Sequence, residues 1–76
     1  MIQSAAIDRH IGQRLRARRR ELDVSQTELG AYVGVTFQQI QKYENGSNRV
    51  SASALWLFAQ RLGCTIGDFL EGVDHG

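Results

Sequence analysis

Gln38, Gln39, Gln41 and Lys42 fall within five positions, directly behind an aromatic Phe37 and a Thr36. A glutamine amide carries a donor and an acceptor side by side, which matches N6 and N7 of adenine. A lysine ammonium donates to O6 and N7 of guanine, and an aromatic edge packs on a thymine methyl. The surrounding charge has the same bias. Residues 1–20 hold six arginines (Arg9, Arg14, Arg16, Arg18, Arg19 and Arg20) against the single Asp8, and no acidic side chain occurs from Leu29 to Tyr43. After Arg20 the balance reverses, with three basic residues against seven acidic ones. A local basic field beside an acid-free stretch suits a polyanionic partner. A solvated arginine-rich helix face and a neutral glutamine surface fit the same residues.

Other chemistries find little support. His10 and His75 are isolated from any Cys or carboxylate cluster with metal-ligand spacing, so neither a metal nor a cofactor is expected. Cys64 is the lone cysteine, in an apolar position before a helix start, and reads as a small packing residue. No glycine-rich phosphate loop or nucleophile motif is present, so no catalytic residue is assigned. No apolar run approaches membrane-spanning length, and the N-terminus lacks the layout of a signal peptide, which leads us to expect a cytoplasmic protein.

The elements that must position these groups are well punctuated. With 76 residues, the chain has room for one small domain and one modest core. Hydrophobic residues make up 42% of it, enough for a globular fold. Val24-Ser25-Gln26-Thr27-Glu28-Leu29 is a capping box with a hydrophobic staple. Val35-Thr36 with Gln39 and Ile40 repeats it, Val50-Ser51 with Leu55 gives a cap and staple, and Cys64-Thr65 with Asp68 and Phe69 gives the last copy. Gly34, Gly46, Gly63 and Gly72 follow stretches of helical apolar spacing, where a helix C-terminus calls for glycine. The pattern predicts an all-α fold with helices near 8–22, 26–33, 37–44, 52–62 and 66–71. Residues 1–7 read as an N-terminal tail, 8–72 as the domain and 73–76 as a C-terminal tail. Ile7, Ile11, Leu15 and Leu22 are expected on one side of the first helix.

The second and third helices are joined by so short a link that they must cross steeply. Such a crossing needs a tiny residue where they touch (Gly30), a positive φ in the turn (Gly34) and apolar inner faces. Leu29, Val33, Val35, Ile40 and Tyr43 supply those faces.

With these residues in register, Ser25-Gln26-Thr27-Glu28-Leu29-Gly30, Gly34-Val35-Thr36 and Ile40-Gln41-Lys42-Tyr43-Glu44-Asn45-Gly46 resemble the Cro/cI-type, XRE-like helix-turn-helix regulators. The resemblance runs from about Ile11 to Leu70. It implies a five-helix, lambda-repressor-like DNA-binding domain, and a transcriptional regulator that binds a double-stranded operator as a homodimer, usually as a repressor. By matching position, Thr36, Phe37, Gln38, Gln41 and Lys42 would meet base edges in the major groove. For Phe37, local packing against the second helix is the alternative.

Gln26, Asn45, Ser47, Asn48, Arg49, Arg14 and Arg16 would meet phosphates, with the minor groove a second option for Arg49 and plain turn chemistry for the loop. Arg19 and Glu44 match a structural ion pair. Arg18 stands where the family often has Leu, which implies a packed stem and a solvated head. Asp23 replaces a frequent Gly. Trp56, Leu57, Ile66 and Leu70 could form a dimer surface or be consumed by the core. The competing class is a protein-interaction module, such as an antitoxin or coactivator-type adaptor. The chain could also be the N-terminal piece of a longer regulator.

Overall fold

The computed structural model describes residues 3–73. Five helices follow one another: α1 (Ser4–Glu21), α2 (Gln26–Val33), α3 (Phe37–Glu44), α4 (Ala52–Leu62) and α5 (Ile66–Leu70). The described residues contain no strand. Met1, Ile2 and the stretch 74–76, including His75, lie outside the described residues.

The starts follow the capping chemistry. The Ser25 hydroxyl accepts from the Glu28 amide at 3.0 Å, and Glu28 reaches back to the Ser25 amide. Thr65 and Asp68 close the same reciprocal box on α5, while Ser51 caps α4 through the Ala54 amide. On α3 the Thr36 hydroxyl accepts from the Gln39 amide, yet the Gln39 side chain does not complete the expected box. A neutral amide gains less from that return bond than a carboxylate does.

The first helix departs from expectation at both ends. It begins at Ser4 rather than near residue 8, with the Ala6 and Ile7 amides bonding the Gln3 carbonyl. Ser4-Ala5-Ala6 contains nothing that stops a helix, and Ile7 packs against the core and so extends the apolar stripe backwards. At the other end Leu22 is the cap residue and lies exposed instead of joining that stripe. The chain then turns through Asp23 at φ 56°, the sole non-glycine with positive φ among the described residues. The Val24 amide bonds back to the Arg19 carbonyl, and the Asp23 amide to that of Arg20. This is the helix stop usually built on glycine.

All five helices contribute to one core. Leu15, Leu29, Ile40, Phe58, Leu62 and Phe69 are fully buried, and the Tyr43 ring meets Phe58 edge-on at 5.8 Å. Burying each of these large side chains stabilises the fold by about 1.5–3 kcal/mol. Cys64 is among the partly buried residues packed on this core, and burial pushes its thiol above the usual range. That environment matches a packing role.

Two glycines set how closely the helices approach. A Cβ on Gly30 would stand 2.6 Å from the Val35 carbonyl oxygen, so only glycine lets α2 meet the turn leading into α3. A Cβ on Gly12 would stand 2.6 Å from the Glu44 carbonyl oxygen and nearer still to that of Tyr43, so α1 crosses directly over the end of α3.

Candidate nucleic-acid interface

The turn between α2 and α3 is held by Gly34 at φ 81° and by the Val35 amide bonding the Gly30 carbonyl at 2.9 Å. It fixes the angle at which α3 is displayed. At about 100° per residue, Phe37, Gln41, Gln38 and Lys42 span an arc of about 140° on α3. All four are exposed. Tyr43, Ile40 and Glu44 occupy the remaining arc, with Ile40 and Glu44 buried and Tyr43 partly buried, although Glu44 lies about 20° around the helix from Phe37. Phe37 is 44% exposed, so it is not tucked away against α2. Thr36 is exposed and spends its hydroxyl on the helix cap.

Glu44 is the acidic residue of α3, and the fold removes it from that surface. Its side chain is 4% exposed and pairs with Arg19, itself 12% exposed. Arg19 Nε donates to Oε2 at 2.6 Å and its Nη2 to Oε1 at 3.1 Å, while Nη1 donates to the Val24 carbonyl. A third donor reaches the carboxylate: Gln26 Nε2 bonds Oε1 at 3.0 Å. This ties the start of α2, the end of α3 and the last turn of α1 into one polar knot. Gln26, the residue expected to meet a phosphate at the start of α2, is thereby held in place by Glu44. One N–H of its carboxamide is directed to Glu44, and the α2 start still offers the second N–H and the backbone amides.

The loop after α3 is closed by its own hydrogen bonds. Asn45 Oδ1 accepts from the Ser47 amide at 2.9 Å and from the Ser47 hydroxyl, and the Ser47 and Asn48 amides both bond the Lys42 carbonyl. Asn45, Ser47, Asn48 and Arg49 are exposed there, beside the end of the displayed face. Arg49 Nε donates to both oxygens of Asp8 on α1, each at 3.3 Å.

The helix 1 arginines divide by face. Arg16 lies about 40° around α1 from Gly12, near the α3 crossing, and is exposed. Arg14 lies about 160° away from Gly12, and its Nε donates to the Asp68 carbonyl of α5 at 3.2 Å. The structure thus does not bring Arg14 to the α3 side, where a phosphate contact was expected of it; its Nε braces α1 against α5. Arg18 is corrected as well. Its head caps the end of α4, with Nε donating to the Leu62 carbonyl at 2.9 Å and Nη2 to that of Gly63 at 3.5 Å.

The apolar residues of α4 and α5 split too. Trp56 is 52% and Leu70 40% exposed, while Leu57 is partly buried and Ile66 packs against the core.

The Helix-turn-helix family model matches residues 15–69, most of the chain and the whole of the α2–α3 unit. The chain belongs to the helix-turn-helix family. An HTH-type transcriptional regulator of Sinorhizobium fredii is 58% identical over 68 residues, covering 90% of this chain and 48% of that relative. The clp gene regulator ClgR from Corynebacterium glutamicum superimposes with a TM-score of 0.81 at 26% identity, covering 84% of this chain and 68% of that one. The P22 c2 repressor protein, solved in complex with a synthetic operator, superimposes with a TM-score of 0.75 at 32% identity, over 82% of this chain and 94% of that one. The curated helix-turn-helix relatives are longer, and this chain spans between 46% and 65% of their length.

Sequence reasoning missed three features of this helix-turn-helix surface. Gly12 carried a usable signal, because glycine inside a helix is costly unless something must come close. The Asp8–Arg49 pair and the Gln26–Glu44 bond join residues far apart in the chain, and no local pattern reports them.

Proposed function

We propose that this domain binds double-stranded DNA sequence-specifically, with α3 in the major groove, as the DNA-reading part of a transcriptional regulator that acts as a homodimer, in the simplest case a repressor. One observation carries the reading. The exposed arc of α3 presents two amides, an ammonium and an aromatic edge, while Glu44 is folded inward and neutralised. A groove lined by phosphates repels a free carboxylate and rewards those donors.

Gln38 and Lys42 read bases, Phe37 meets a thymine methyl, and Thr36 and Gln41 lie at the margins. Asn45, Ser47, Asn48, Arg49 and Arg16 line the phosphate track, together with the backbone at the start of α2. The P22 c2 repressor, with its synthetic operator, supports the mode of binding by its likeness. One recognition helix covers too few base pairs for useful selectivity, which a dimer spanning two half-sites solves. The exposed Trp56 and Leu70, with Leu57 and Ile66 beside them, provide the apolar surface for that pairing.

The test is fluorescence anisotropy on duplexes selected from a random pool, at rising salt. Affinity is expected to fall steeply with salt, and Gln38→Ala or Lys42→Ala is expected to cost about 1–3 kcal/mol at the selected site with helicity intact. A well-folded protein that selects no duplex would instead point to a protein-binding adaptor.

A further inference from the structure

Arg49 and Asp8 are linked in an unusual division of labour. Arg49 stands at the mouth of a loop whose backbone is fixed by the Asn45–Ser47 and Lys42–Asn48 hydrogen bonds. Its side chain is 69% exposed, whereas its partner Asp8, on α1, is 14% exposed. Both carboxylate oxygens of Asp8 take the same hydrogen, that on Nε, at 3.3 Å. Neither Nη group makes a hydrogen bond within the described residues, so the donors at the tip of the guanidinium remain available. The fork formed by the two Nη groups points about 120° from the Nε–H bond, so an arginine held by Nε keeps that fork off the line to its holder and able to straddle a phosphate.

We propose that Asp8 is a positioning residue for DNA binding: it holds Arg49 by Nε so that both Nη groups grip one backbone phosphate beside the end of α3. The inference rests on the DNA-binding reading above. Asp8 is well placed for the task. At 14% exposure, its charge is met by the guanidinium rather than shown to the duplex. The rotamer freedom of a long side chain is then given up on folding instead of on binding, so binding is tighter than the same arginine would give when free. A simple counter-ion would act in the opposite sense. If Asp8 only competed with phosphate for Arg49, removing its charge would strengthen binding.

The two accounts separate in a double-mutant cycle on a duplex selected by the wild-type protein. Asp8→Asn keeps the shape, and melting of each variant checks the fold. Positioning predicts that Asp8→Asn weakens binding in the Arg49 background, but leaves it unchanged or strengthens it when Arg49 is already Ala. It also predicts that Asp8→Asn and Arg49→Ala flatten the salt dependence alike, by about one phosphate contact. Between roughly 50 and 200 mM salt the loss of affinity should be about 3.5-fold smaller than for wild type. A role confined to fold stability leaves that slope alone. Arg49→Lys keeps the charge without the fork and should not restore full affinity.

Equal or tighter binding by Asp8→Asn, with Arg49 present and a normal melt, overturns the positioning role while the DNA-binding reading stands. If wild type selects no duplex, the underlying reading fails, and the positioning role with it.

Discussion

Cutting Glu44 to alanine should remove a large share of the domain's stability. The carboxylate is 4% exposed and accepts three hydrogen bonds: two from Arg19, at 2.6 and 3.1 Å, and one from Gln26 at 3.0 Å. Removing it strands a guanidinium that is 12% exposed, and breaking one partner of such a pair costs about 3–5 kcal/mol. A domain of this length has a total stability of ~4–11 kcal/mol, so the loss takes a large share of it. At about 4–8 °C of melting temperature per kcal/mol, the midpoint should drop by at least ~12 °C. The decisive companion is Arg19→Met combined with Glu44→Met. That variant leaves no buried charge unpaired, and it should melt above Glu44→Ala despite carrying two changes. The assay is thermal melting followed by far-UV circular dichroism. A Glu44→Ala midpoint within about 4 °C of wild type, or a double variant less stable than the single, would refute the argument that the pair is buried and mutually dependent.

Three further outcomes follow from the geometry. Gly30→Ala should destabilise by about 1–3 kcal/mol although alanine is the better helix former, because its Cβ would meet the Val35 carbonyl, and Gly30→Leu should be worse; urea midpoints equal to wild type would contradict the packing. Asp23→Gly should raise stability by ~0.5–1 kcal/mol, since a side chain is strained at φ 56°, and a lower melting point would show that Asp23 earns its place by some other contact. The Thr65 amide, and then its hydroxyl, hold the Asp68 carboxyl below the usual carboxylate range. A pKa depressed on folding gives stability that is present above the unfolded value, about 3.9, and is lost as pH falls through the lower folded one. Asp68→Asn should therefore flatten part of the acid limb of a urea-midpoint profile below about pH 4; profiles that stay parallel to wild type would remove Asp68 from that limb.

Elements bounded by local chemistry were readable in the sequence, and those bounded by distant partners were not. Ser25, Thr36, Ser51 and Thr65 each cap the helix that their position announced, because a cap needs only neighbours within three residues. The start of α1 carries no such cap: Gln3 makes no side-chain bond there, so nothing in the sequence marks Ser4. The amphipathic split of α3 is periodic and therefore legible, including the exposed Gln38 and Lys42 and the buried Ile40. The heads of Arg14, Arg18 and Arg49 and the amide of Gln26 were not. Each long side chain can reach several elements, and the choice falls to a carbonyl or carboxylate brought near only by the fold. Asp23 is an intermediate case. The sequence shows the glycine missing from the turn, and the structure shows aspartate adopting the positive φ in its stead.

DNA binding by this domain requires α3 to be the surface that meets the duplex. The most direct measurement is an NMR titration of isotope-labelled protein with a duplex chosen from a random pool. The side-chain amide signals of Gln38 and Gln41 and the signals of Lys42 and Phe37 are expected to move most, with Ser47 to Arg49 following. Shifts confined to Trp56, Leu70 and their neighbours, with α3 silent at saturation, would contradict it.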